Sequence, residues 1–347
     1  MIGEYLRAAP KAELHLHFQG SIRPETLLEL AQRHRIDLPA ENAAQLRDWF
    51  RFRDFAHFVE VYGVLRSCLV EAPDYELVTY ELGAALAAQH VRYAEVTFTP
   101  GPEVYRGPRE TFFDGLTRGR CRVQQDFGVD IRWIFDIPRR SVTLHPDIPL
   151  ADFITSVAIE GRDAGVVGLG LAGTEAGYPP EPFEPWFNRA RAAGLHSSPH
   201  AGETAGPESV WGALRALGAE RIGHGVRSVE DRSLLEYLVE RRIALEVCPT
   251  SNIQLGVYPS FREHPLRELL AGGAMVAINT DTPAIFGITL TDELKLLETE
   301  FGLPAEVVDQ VILNAFEAAF LPDGEREALI ASVRRELESL RGATLGA

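Results

Sequence analysis

Eight short apolar segments with β-forming composition recur along this chain, and helix-like stretches separate most of them. They are Glu13–Phe18, Val91–Phe98, Val129–Ile137, Val166–Ala172, Leu195–His200, Arg221–Gly225, Ile243–Cys248 and Met275–Asp281. Strands that alternate with helices run parallel, because each crossover returns the chain to the same end of the sheet. Eight such units predict an α/β fold, a closed (β/α)8 TIM barrel with its reactive groups at the C-terminal strand ends. A doubly wound open sheet is the rival. It lacks support, because no G-x-G-x-x-G turn follows the first strand.

Helical spacing is clearest at Asp152–Ala164, Pro207–Leu217, Ser233–Arg241 and Pro265–Ala271, and again from Asp292 through Leu340. Between Phe18 and Val91 the chain is unusually long for a crossover. It reads as three helices, one entered at Pro24-Glu25, one capped by Asp54 and one started by Asp74. These extra helices, with others at the C-terminus, should pack outside the barrel or over its mouth. Length alone allows two domains, but no Gly/Ser linker or compositional shift divides the 347 residues, so residues 1–347 are expected to form one domain.

The formal charge of −16 argues against nucleic acid or an anionic membrane as the main partner. No apolar stretch reaches the ~18 residues a membrane span needs, and the N-terminus carries no apolar secretory core. Cys68, Cys121 and Cys248 are odd in number and far apart, which fits neither a disulfide framework nor a structural zinc knot. A cytoplasmic location is expected. Homo-oligomerisation is left open.

Polar residues gather at the strand ends. His15 and His17, two apart on the first strand, share one face. Closing the barrel sets the eighth strand, with Asp281 at its tip, beside the first. His200, on the fifth strand, reaches the same point from across the barrel. Taken singly, each is more simply a solvated or turn residue. Together, three imidazoles and a carboxylate suit one Zn²⁺ per chain, with a position left for water. Glu203, three residues after His200, and His224 remain as acid/base groups beside it. That is the layout of a hydrolase.

The chain resembles the adenosine deaminase family of the metal-dependent amidohydrolase superfamily. Its motifs are Pro10-Lys-Ala-Glu-Leu-His-Leu-His17, His200-Ala-Gly-Glu203, Arg221-Ile-Gly-His-Gly225, Cys248-Pro-Thr-Ser-Asn252 and Asn279-Thr-Asp-Thr-Pro283. The resemblance implies that His15, His17, His200 and Asp281 bind zinc and that Glu203 protonates purine N1. It also implies that His224 orients the attacking water and that Asp281 takes a proton from it. Gly173 matches the position whose backbone N–H meets purine N3. The implied substrate is a small-molecule 6-aminopurine nucleoside, adenosine first, with 6-amino-6-deoxyfutalosine and adenine as alternatives.

Three departures fall at substrate-reading positions. Thr282 stands where the family has a second aspartate for purine N7, and Gln19 where nucleoside deaminases have an acid for the ribose. Gly170-Leu-Ala-Gly-Thr-Glu175 lacks two of the usual acids. Phe18, Trp49, Phe50 and Phe55 are candidates for an apolar lining of the mouth. Two other readings are weaker. A barrel hydrolase of amides, lactones or phosphoesters often carries a bridging lysine, and no strand end here has one. A purine-binding relative of weak activity would not need both Glu203 and His224.

Overall fold

A computed structural model describes residues 2–51, 53, 55–141 and 149–344. Among the described residues, nine parallel strands form two hydrogen-bonded arcs. The first joins β1 (Lys11–His17), β2 (Val91–Phe98), β3 (Asp130–Pro138), β4 (Val166–Ala172) and β5 (His196–Ser197) in chain order. The second joins β6 (His200–Ala201), β7 (Arg221–His224), β8 (Ala244–Val247) and β9 (Val276–Ile278). Every strand pair is parallel, which requires the helical crossovers read from the sequence.

The two arcs meet at two seams. β5 and β6 are halves of the expected fifth strand, broken at Ser198-Pro199, because Pro199 has no N–H to donate to a ladder. The chain still bridges the break, with Ser198 N–H donating to Leu169 O at 3.1 Å and Gly223 N–H to Pro199 O at 3.0 Å. At the other seam Leu16 pairs with Asp281. There Asp281 N–H donates to His15 O at 3.0 Å, and His17 N–H to Asp281 O at 2.7 Å. The strands therefore make a (β/α)8 barrel in which two ligand-type residues sit on the closing seam.

Between β1 and β2 lie a 3-10 turn, Gln19–Ser21, and helices Pro24–His34, Ala43–Phe50, Phe55–Ser67 and Ala72–Ala87. Asp54, the expected cap of the third of these, lies outside the described residues. Asp74 does not start the last one. Glu71 is its N-cap and Asp74 closes a capping box from the N3 position, so the helix begins two residues earlier than expected, at Ala72. Ala72–Ala87 packs on the outside against helix Arg109–Phe127. Phe55–Ser67 instead reaches the mouth, where the Tyr62 ring stands 6.3 Å from that of His17.

The aromatic residues expected at the mouth divide. Phe18 follows His17 and so faces the opposite side of the strand, where it packs on Tyr75, Phe98 and Trp133 in the core. Phe50 is buried, Trp49 lies against His57, and the Phe55 side chain is outside the described residues. C-terminal helices Leu290–Thr299, Ala305–Glu317 and Asp323–Thr344 complete the outer layer. Among the described residues no helix is long and apolar enough to cross a membrane.

Candidate active site

The C-terminal strand ends bring the expected residues into one buried cluster. Ligand-type nitrogens of His15, His17 and His200 all lie within 4.8 Å of one another, with His17 Nε2 3.2 Å from His200 Nε2. Asp281 Oδ1 stands 3.4 Å from His17 Nε2 and 4.0 Å from His15 Nε2. Burial pushes the His17 pKa down to about 4 and holds that of His200 well below its usual value, so both rings offer lone pairs. Burial alone would raise the Asp281 pKa, but the facing imidazoles and a Ser251 hydrogen bond hold it below the usual value, as an anion. Buried lone pairs and an anion converging on one point, with His15 Nε2 lacking any hydrogen-bond partner, are a donor set that fits Zn²⁺.

The backs of His15 and Asp281 are tied down. His15 Nδ1 is 2.9 Å from Glu246 Oε2, and that carboxylate also accepts from Ser198 Oγ at 2.9 Å and Arg221 Nε at 2.6 Å. Arg221 in turn pairs with Glu95 from β2 and lies over the Phe320 ring at 3.6 Å. A buried guanidinium between two carboxylates keeps charge compensated beneath the site, where an unpaired charge would be costly. Ser251 Oγ donates to Asp281 Oδ2 at 2.6 Å, leaving Oδ1 to face the imidazoles. Gly223 is fixed by close approach, since a Cβ there would stand 2.9 Å from His15 Cε1.

Glu203 and His224 sit beside the cluster, with Glu203 Oε1 3.6 Å from His224 Nε2. Burial pushes the Glu203 carboxyl up, which favours the protonated acid. The loop carrying it is anchored by Glu175, whose carboxylate accepts the backbone N–H groups of Gly202, Glu203, Thr204 and Ala205. His224 and Asp281 adopt left-handed backbone, at φ of 59° and 63°. Such strain in non-glycine residues costs on the order of 1–3 kcal/mol each and persists where surrounding contacts enforce it.

The three residues expected to read substrate follow the C-terminal ends of β1, β4 and β9. Thr282 follows Asp281 and is fully buried, its hydroxyl without a partner. Gln19 Nε2 donates to Thr99 O at 3.0 Å, while its Oε1 has no partner. Gly173 lies just past β4 in left-handed backbone, φ 89°. Sequence reasoning gave no role to Glu246, Ser251, Asn252, His264 or Glu175. Ser251 and Asn252 belong to a motif already singled out, and Glu175 ends another. Glu246 had a weaker signal, an acid inside an apolar strand, and His264 had none.

A barrel with this cluster defines a metal-dependent amidohydrolase. The Adenosine deaminase family model matches residues 10–336, and the chain belongs to the adenosine deaminase family. It is 42% identical to an aminodeoxyfutalosine deaminase of Streptomyces avermitilis, over 94% of this chain and 91% of the relative. It is 35% identical to an adenine deaminase of Cupriavidus necator, over 96% and 93%. Among solved structures, an amidohydrolase from Burkholderia ambifaria with bound Zn superposes with a TM-score of 0.89 at 29% identity, covering 99% of this chain and 95% of that one. The chain is an aminohydrolase that deaminates an aminopurine-type substrate, and zinc is its cofactor.

Proposed function

We propose that the chain, as one domain, removes the 6-amino group of a purine nucleoside, with 6-amino-6-deoxyfutalosine preferred over adenosine. The observation that carries the chemistry is the half-buried Glu203 acid beside His224, at the edge of the His15, His17, His200 and Asp281 cluster. Those four residues would hold Zn²⁺, which when bound lowers the pKa of water towards ~7.

Glu203 would give its proton to purine N1, drawing electrons from C6. The His224 Nε2 side would face the negative charge that builds as water adds to C6. Asp281, held at Oδ2 by Ser251, would take the proton that the water loses. Asp281 would pass that proton to the 6-amino group, which leaves as ammonia, and the 6-hydroxyl would return its proton to Glu203, leaving a 6-oxopurine protonated at N1.

On the reading side, the Gly173 N–H would meet purine N3. The unpartnered Thr282 hydroxyl would donate to N7, and Gln19 Oε1 would accept from a sugar hydroxyl. Two things favour the substituted nucleoside over adenosine. One is the neutral amide of Gln19 where an acid would grip the ribose. The other is the higher identity to an aminodeoxyfutalosine deaminase, 42%, than to an adenosine deaminase of Yersinia pseudotuberculosis, 38%. An ammonia-release assay with 6-amino-6-deoxyfutalosine, adenosine, deoxyadenosine and adenine tests the reading. The highest kcat/KM should fall to the first, and a highest value for adenosine or adenine would overturn the preference.

A further inference from the structure

His264 lies outside the metal cluster, buried in the loop before helix Leu266–Ala271 and held between the Tyr258 and Phe301 rings. The Leu266 backbone N–H donates to its Nδ1 at 3.1 Å. A backbone amide can only donate, so Nδ1 must hold a lone pair. Burial pushes the His264 pKa down to about 4, so the ring is neutral near pH 7 and its single proton sits on Nε2.

That Nε2–H donates to Asn252 Oδ1 at 3.0 Å. The opposite amide orientation would set two donors against each other. With Oδ1 so committed, Asn252 Nδ2 faces His224 Nδ1 at 3.3 Å. An amide nitrogen only donates, so His224 Nδ1 must hold a lone pair, and the ring proton sits on Nε2. Nε2 is the nitrogen that faces Glu203.

We propose that the Leu266 backbone amide, acting through His264 and Asn252, fixes the tautomer of His224 so that it presents an N–H, and never a lone pair, to the reacting carbon. Asn252 and His264 are thus positioning residues, and what they position rests on the deaminase reading. A polar chain that begins at a backbone amide cannot reverse its direction, because that amide has no acceptor to offer. Without it, both tautomers of His224 would be populated.

The test uses full-length, zinc-loaded protein carrying ¹⁵N-histidine. Wild type should show His224 protonated on Nε2. Asn252→Asp offers only an acceptor, so it should move the proton to Nδ1 and lower kcat on the order of a hundredfold or more, with KM and zinc content little changed. His264→Leu should lower kcat about tenfold. His264→Gln, which can accept from Leu266 and donate to Asn252, should restore most of that loss. A wild-type spectrum with His224 protonated on Nδ1 would overturn the proposal, as would a folded Asn252→Asp with unchanged tautomer and kcat. If Asn252→Asp does not fold, the wild-type spectrum decides. The spectrum is read without substrate, so an assay that refutes the purine reading leaves this outcome standing on its own.

Discussion

The two sides of the barrel mouth are built differently. On the side proposed to do chemistry, His15 is backed by Glu246, Asp281 by Ser251, His224 by Asn252 and the Glu203 loop by Glu175, while the atoms without a partner, among them His15 Nε2 and Glu203 Oε1, face the cluster and the space beside it. On the side proposed to read substrate, Thr282 Oγ1 and Gln19 Oε1 are buried with nothing to bond. A buried polar atom without a partner costs about 1–3 kcal/mol, a cost removed when a ligand supplies the missing group. Chemistry at C6 is common to every 6-aminopurine, so its geometry can be fixed in advance. In the proposed function, substrate identity is met by atoms held in reserve.

The contrast predicts unequal responses to mutation. Glu203→Gln keeps shape and removes the acid, so turnover should drop on the order of 10²- to 10⁴-fold with zinc retained. Activity near the wild-type rate, at equal metal content, would remove Glu203 from the proton-donor role. Gly223→Ala sets a methyl against His15 and should weaken zinc about 10- to 100-fold in a chelator competition, with little effect on the relative rates of different purines. A change in substrate ranking instead would mean that the two sides are coupled.

Thr282→Asp should act on the reading side alone. If the N7 contact limits turnover on adenosine, its kcat/KM rises about fivefold or more, the equivalent of one recovered hydrogen bond. Zinc affinity should stay unchanged. No gain would place discrimination at Gln19.

The smallest effect concerns pH. His264 has a folded pKa of about 4 against 6.5 unfolded, so between those values the unfolded chain binds the extra proton and stability falls on acidification. From pH 7 to 5.5 this group should contribute about 1 kcal/mol of lost stability. Denaturant unfolding of wild type and His264→Gln at both pH values, at one zinc concentration, should differ by that amount. An equal loss in both proteins would mean that His264 is not held neutral.

Much of this architecture was legible in residue order. The alternation of strands and helices gave the barrel, and the two-residue spacing of His15 and His17 gave their shared face. The barrel's geometry then set Asp281 beside β1. The same alternation should have sent Phe18 to the core, and the fold did so. Pro199, by contrast, was visible in the sequence, yet its break of the fifth strand emerges only when the neighbours are in register.

The chain itself therefore determined which groups can take part: imidazoles, carboxylates and an acid at strand ends, with altered residues at the reading positions. Tertiary structure alone decided what each atom faces. Glu246, Ser251, Asn252 and His264 act through hydrogen bonds whose direction depends on where a backbone N–H points, as at Leu266. The left-handed turns at His224 and Asp281 arise the same way, from contacts between residues far apart in the chain. Local sequence cannot encode a hydrogen bond's partner across the barrel, because that partner is set by closure and not by spacing.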